Sequence, residues 1–142
     1  MPDNAAHPLH RDLLMIIRGH LNSFPFTKAD DQIKFEEQCL QLAFVQWLQK
    51  PANQALTVGM ASQLTIPRLI EVLEQNELAQ TEFRKILESA TQAVMVTYLV
   101  QQVTDLKDEI ELSEDKDELH SLRQQLIKIY RWEQQHLSAV SQ

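Results

Sequence analysis

Residues 40–48 read LQLAFVQWL, a run in which two glutamines interrupt seven apolar residues. Wound into an α-helix, this run turns apolar side chains to nearly every side, which is typical of a helix enclosed by others. Thr27 is a suitable N-cap upstream, and Pro51 is a suitable helix end downstream. The sequence therefore predicts a long central helix over about 28–50.

Apolar residues recur with the period of an α-helix on both sides of this central helix. Residues 94–100 read VMVTYLV, a second run that we expect to be buried on nearly all sides. Asn53 is expected to begin a short helix and Ser113 to cap the last one, because their side chains accept hydrogen bonds from free helix N–H groups. The expected helices cover about 8–21, 28–50, 53–64, 66–75, 80–104 and 114–136.

Glycine is scarce, since Gly19 and Gly59 are the only two in 142 residues. Phosphate-binding loops and tight hairpin turns depend on glycine, so a P-loop, a dinucleotide fingerprint and a β-rich fold are disfavoured. No cofactor is expected. The predicted fold is all-α, an irregular bundle of five to six helices in a single domain over residues 7–142, preceded by a disordered tail at residues 1–6.

Acidic residues dominate the charge of the chain, with 20 against 13 basic residues and a net charge of −7. Residues 105–118 contain eight acids and two lysines, a net of −6 within that stretch. We expect an acidic connector at about 105–113 that leads into the last helix, where acids suit the helix dipole. This balance disfavours nucleic acid and anionic membranes as partners, and it leaves a basic partner open.

Cys39 is the single cysteine, so an internal disulfide is excluded and a reducing compartment is favoured. We expect it to be a small buried hydrophobe. No apolar run approaches the roughly 20 residues of a membrane span, and the N-terminal residues lack an apolar signal core. The expectation is a cytoplasmic protein without a membrane partner.

Carboxylate and histidine side chains are spaced three apart twice in the last helix, at Asp117/His120 and at Glu133/His136. This spacing is used in di-iron helical bundles. The two pairs are 16 residues apart, roughly 24 Å along a helix, so they cannot share a metal ion. Glu133 and His136, with His20 at the end of the first helix, remain the candidate metal ligands.

Residues 58–78 read VGMASQLTIPRLIEVLEQNEL and resemble a helix-turn-helix in outline, with the break at Thr65. A recognition helix approaches phosphates and needs basic residues, whereas this one has Arg68 alone. Its acidic residues are Glu71, Glu74 and Glu77. The pattern therefore favours antiparallel packing of short helices over DNA binding.

Tyr130, Arg131 and Trp132 are adjacent in the last helix and are of the types that dominate protein interfaces. We predict that they bind a partner protein; the alternative is that Trp132 packs at the rim of its own bundle. The apolar spacing over residues 118–137 fits either an intramolecular bundle or a short antiparallel homodimer seam. Our leading hypothesis is a non-enzymatic cytoplasmic regulator, adaptor or immunity-type protein that acts by protein–protein binding. The alternatives are a small-ligand or metal-binding helical bundle and a helix-turn-helix-like DNA-binding regulator.

Overall fold

The computed structural model describes residues 8–60 and 64–140, and within these ranges it contains six α-helices and no strand. This confirms the all-α prediction, while the expected tail at residues 1–6 lies outside the described residues. The helices are α1 (Pro8–Gly19), α2 (Asp31–Trp47), α3 (Pro51–Leu56), α4 (Ile66–Glu74), α5 (Glu77–Leu112) and α6 (Lys116–Val140). No helix in the described ranges has the length and apolar character needed to cross a bilayer.

The contacts of the chain divide it into two compact units. Unit 1 consists of the described residues before Ser23 together with Gln32–Val94. Unit 2 consists of Ser23–Asp31 together with the described residues from Met95 onward. The long helix α5 contributes to both units, and the expectation of a single domain over 7–142 stays a prediction.

Unit 1 has an aromatic core to which α2 and α5 contribute. The ring centroids of Phe44 and Phe83 are 4.2 Å apart, and Trp47 meets Phe44 edge-on at 6.2 Å. All three rings are buried, whereas Val45 is 57% exposed. The run at 40–48 is therefore the centre of unit 1, as predicted, although it keeps a solvent-facing side.

The ends of α2 and α3 differ from the predicted ends. Helix α2 begins at Asp31 because the Thr27 hydroxyl, expected to cap it, donates instead to Gln102 Oε1 at 2.7 Å. It ends at Trp47, and Pro51 begins α3, since proline fits the first turn of a helix. Asn53 was wrongly predicted to be a cap.

Asn53 lies inside α3 and is buried. Its Nδ2 donates to the backbone oxygen of Trp47 at 2.8 Å and to Glu82 Oε1 at 2.9 Å. These bonds fasten α3 to the end of α2 and to α5, which explains why a polar residue is tolerated there. Helix α3 ends at Leu56, and Gly59 lies beyond it at φ +89° rather than inside the expected helix.

Helix α4 begins at Ile66 as predicted, whereas α5 begins at Glu77 and not at about residue 80. Thr65 caps α4 by accepting a hydrogen bond from the backbone N–H of Arg68 at 3.4 Å. Asn76 separates α4 from α5, and its Oδ1 accepts from the backbone N–H of Ala79 at 3.0 Å. Both bonds satisfy helix N–H groups that have no partner within the helix.

The predicted acidic connector is wrong, because α5 continues as a helix to Leu112. Glutamate and lysine are good helix formers, and this intrinsic preference outweighs the repulsion among exposed like charges. The connection to α6 is limited to residues 113–115. The cap is Asp115, whose Oδ1 accepts from the backbone N–H of Asp117 at 3.0 Å, and not Ser113 as expected.

A partly buried ion pair joins α1 to α2 in unit 1. Arg18 binds Glu36 through two bonds, Nε to Oε2 at 2.7 Å and Nη2 to Oε1 at 3.2 Å. Gln32 donates a third bond to Glu36 Oε2 at 3.1 Å. Glu36 is only 6% exposed, so these bonds replace the water that its carboxylate loses on folding.

Cys39 is fully buried in unit 1, as expected. Burial raises the pKa of its thiol to about 12, since thiolate loses its hydration; Thr91 lowers the pKa and Glu36 raises it further. The folded state therefore holds this proton more tightly than the unfolded state does. Its contribution to stability is complete below the ordinary thiol pKa of about 8.5 and is lost as the pH rises toward 12.

We expect the alkaline loss of stability to be shallower in Cys39→Ala than in the wild type. Above about pH 9 the difference between the two unfolding free energies should change by up to about 1.4 kcal/mol per pH unit, the value for one proton. Urea titrations between pH 8 and 11 measure it. If the unfolding free energies of the two proteins fell equally with pH over this range, the assignment of a buried neutral thiol would be contradicted.

Candidate functional site

Unit 2 is built on the second part of α5 and on α6, which are joined by residues 113–115. A connection this short is typical of two antiparallel helices in an αα-hairpin. Each helix buries leucine or isoleucine residues seven positions apart, Leu99 and Leu106 on α5 and Leu122 and Ile129 on α6. Unit 2 is thus a helical hairpin with an apolar seam.

The loop at residues 23–31 is fastened to one side of this hairpin. The backbone N–H of Thr27 donates to the Tyr98 hydroxyl at 3.0 Å, and that hydroxyl donates to Asp31 Oδ2 at 2.7 Å. The Thr27 side chain also binds Gln102, as described above. We call this side of the hairpin the loop side.

The environment of Tyr98 keeps its phenol neutral. Burial raises the pKa of the hydroxyl because the phenolate would lose its hydration, and Asp31 raises it further, while the bonds from Thr27 lower it. A protonated hydroxyl is what the geometry requires, since it must donate to Asp31 while accepting from Thr27. Tyr98 therefore serves to hold the loop.

Aromatic rings hold the beginning of the same loop. Phe24 meets Trp132 edge-on with ring centroids 4.9 Å apart, and it lies 5.5 Å from Tyr98. The His136 ring stacks on the Trp132 ring, with the two ring centroids 4.4 Å apart. Trp132 is consequently 5% exposed. The ring is part of the core of unit 2.

This burial changes the partner-binding patch predicted at Tyr130, Arg131 and Trp132. Trp132, which the helix pattern places away from the centre of the apolar stripe, is buried, whereas Tyr130 is 40% exposed and Arg131 is exposed. The reason is that the loop supplies Phe24 as a packing partner for Trp132. Tyr130 and Arg131 remain the accessible members, and their binding role stays a prediction.

Helix α5 turns an uncovered apolar side away from the loop. Two residues correspond to about 200° around an α-helix. Tyr98 and Gln102 both form hydrogen bonds with Thr27 of the loop. Val96 lies two positions before Tyr98, and Val100 lies two positions before Gln102. The two valines therefore lie on the opposite side, where they are 48% and 61% exposed. The expectation that residues 94–100 are buried on nearly all sides is wrong.

Helix α6 contributes to the same uncovered side. Tyr130 precedes the loop-packed Trp132 by two positions. Gln125 and Thr27 of the loop line a groove of about 450 Å³. Ile127 lies two positions after Gln125, and therefore on the opposite side of α6. Ile127 is 42% exposed. We call the combined surface the outer face, and it comprises Val96, Val100, Val103, Ile127 and Tyr130.

Charge is distributed unevenly between the two sides of the hairpin. Asp105, Asp108 and Glu109 line the groove on the loop side. Lys107 and Arg123 precede Glu109 and Gln125 by two positions, so they lie toward the outer face. Glu111 follows Glu109 by two positions and lies toward the same side, so the outer face is an apolar stripe whose end carries two basic residues and one acidic residue.

The candidate metal ligands are divided between the two units, with His20 in unit 1 and with Glu133 and His136 in unit 2. Residues 8–60 and 64–136 contain no group of three or more histidine, cysteine or acidic side chains placed to hold a metal ion. His136 Nδ1 lies 3.0 Å from the backbone oxygen of Trp132. Metal binding by Glu133, His136 and His20 stays a prediction without geometric support.

Only the second helix of the helix-turn-helix outline at 58–78 corresponds to a described helix, α4; residues 58–60 follow the end of α3 and are not helical, and residues 61–63 lie outside the described residues. In α4, Leu69, Ile70 and Leu73 are buried. Arg68 lies 3.6 Å from Glu71, which would offset its attraction to phosphate. DNA binding stays a prediction.

No known protein family, curated protein or solved structure matches this chain. The evidence for its function is therefore the chemistry of its surfaces. Among these, the outer face is the feature that periodicity alone did not reveal, because exposure of Val96 and Val100 depends on which side of α5 the loop covers.

Proposed function

We propose that this protein is a non-enzymatic regulator or adaptor that acts by binding another protein through the outer face of unit 2. The observation that carries the proposal is the exposure of Val96, Val100, Ile127 and Tyr130 on one side of the hairpin. Exposed apolar patches of this kind mark interaction sites, since burying them against a partner recovers the hydrophobic free energy that folding left unused.

The spacing on this face indicates a helical partner. Val96, Val100 and Val103 follow intervals of four and three residues, the interval at which one helix packs into the groove of another. Tyr130 offers an amphipathic ring of the type found in binding hot spots. Lys107 and Arg123 lie at one end of this face together with Glu111, so a partner with both acidic and basic residues beyond its apolar stripe is favoured there.

The cytoplasm is the proposed location, because a single buried cysteine fits a reducing compartment. A second copy of the chain is the alternative occupant of the outer face. Two hairpins packed face to face would form a four-helix arrangement, and a twofold axis would make the contact self-complementary.

A photo-reactive amino acid in place of Val100 tests the proposal in cells, with the same group in place of Asp105 as the control. Asp105 lies on the same helix but lines the loop-side groove. We expect Val100 to give one defined cross-linked protein that Asp105 does not give. A product joining two copies of this chain would assign the face to a homodimer instead, and equal products at both positions would contradict the proposal.

Binding of the identified protein is then measured with Val100→Asp. Burying an unpaired carboxylate in an apolar contact should weaken binding at least about tenfold. Gln125→Asp is the matched control, since it adds the same charge at a position that lines the loop-side groove. Equal affinities for the two variants would exclude the outer face as the contact.

A further inference from the structure

Unit 1 contains an open groove of about 500 Å³ between α1, α2 and the beginning of α4. This volume is within the range of small-molecule sites, roughly 300–1,000 Å³. Its apolar wall leaves large aliphatic groups accessible, since Ile33 is 68% and Leu64 is 42% exposed. The apolar lining residues are Leu14, Ile33, Leu40, Leu64, Ile66 and Pro67.

The ionisable residues that line this groove are two glutamates and His10. Glu36 and Glu37 line it, and no lysine or arginine is among the described lining residues. Glu36 is neutralised by its ion pair with Arg18. Glu37 receives a hydrogen bond from the neutral amide of Gln41 at 3.3 Å. Glu37 is thus the lining carboxylate with a neutral rather than a cationic hydrogen-bond donor, and it is exposed.

We infer that this groove binds a small amphiphilic cation, a compound with an unbranched or compact apolar body and one protonated amine. The apolar body would cover Leu14, Ile33 and Leu64, and the ammonium group would meet Glu37. An anionic amphiphile of the same length would place its charge beside the same carboxylate and be rejected. All these residues belong to unit 1, so the inference does not rest on the proposed protein-binding face.

Decylammonium is the probe, and decanoate is its matched anion, each titrated below its micelle-forming concentration. Methyl NMR of isoleucine, leucine and valine reports the location of binding. We expect saturable shifts at Leu14, Ile33, Leu64 and Ile66 with decylammonium, and an affinity for decanoate at least about tenfold lower. Tetramethylammonium, which has charge without an alkyl chain, should shift none of these methyl groups.

Variants of Ile33 and Glu37 separate the apolar contribution from the ionic one. Ile33→Asn should weaken decylammonium binding about tenfold, whereas Val45→Asn, at another exposed position on α2 outside the groove, should leave it unchanged. Glu37→Gln should weaken it about threefold, the value of an exposed ionic contact. Shifts away from the groove, equal affinity for decanoate, or equal loss in both asparagine variants would overturn the inference.

Discussion

Replacing Trp132 with alanine is expected to lower the unfolding free energy by about 3–5 kcal/mol, the range for a large aromatic removed from a core. Trp132 is 5% exposed and is packed between Phe24 and His136. Its ring is the contact through which the loop at residues 23–31 is anchored on α6. The substitution therefore leaves a cavity and also loosens the loop, because Phe24 loses its edge-to-face partner.

Urea denaturation followed by circular dichroism measures this loss. Tyr130→Ala is the matched control, since Tyr130 is an aromatic residue two positions away that is 40% exposed. It should cost at most about 1 kcal/mol, as expected for a surface substitution. A tyrosine variant that is as unstable as the tryptophan variant, or a tryptophan variant as stable as the wild type, would contradict the assignment of Trp132 to the core.

The same pair of variants distinguishes stability from binding. If the outer face is the contact with a partner protein, Tyr130→Ala weakens binding while the protein stays folded. Trp132→Ala instead lowers the stability of the fold, and any effect on binding follows from that loss. A binding defect confined to the tryptophan variant, at concentrations of urea where both proteins are native, would place the contact on the loop side instead.

Local sequence signals predicted the helices of this fold well. The run at 40–48 identified the centre of unit 1, and Thr65 marked the beginning of α4, which the structure confirms. These features depend on residues close together in the chain, such as a capping side chain and the N–H group that it satisfies. Such information is present in a single short segment.

The features that sequence reasoning missed depend on residues far apart in the chain. Thr27 is a good cap by its type, but Gln102 of α5 takes its hydroxyl. Trp132 is buried because Phe24 reaches it from a loop, and Val100 is exposed because that loop lies on the other side of α5. Periodicity indicates that a helix side is apolar, and it does not indicate what covers that side.

Acidic composition was also a poor guide to helix ends. Residues 105–112 read as a connector because their charge is concentrated, yet they extend α5. Glutamate, lysine and leucine are among the best helix formers, and exposed like charges cost only a few tenths of a kcal/mol per pair. The groove and the outer face both depend on this extension, since residues beyond 104 line or border them.

Phe44→Ala is expected to destabilise unit 1 by about 3–5 kcal/mol. Phe44 is 3% exposed and lies at the centre of the run that specifies the fold, with its ring centroid 4.2 Å from Phe83. Val45→Ala, at the neighbouring and 57% exposed position, should cost less than about 1 kcal/mol. Similar losses at the two positions would mean that the helix is rotated relative to the described core.

A double-mutant cycle with Phe83→Ala tests the ring pair itself. Beyond the area that each ring buries, an aromatic pair contributes about 0.5–1.5 kcal/mol, and this part is lost only once. The loss of unfolding free energy in the double variant should therefore be smaller than the sum of the two single losses by that amount. Strict additivity would indicate that the two rings fill the core independently. Because both rings contact Trp47 at 6.2 and 6.4 Å, Trp47 fluorescence should report the repacking in each variant.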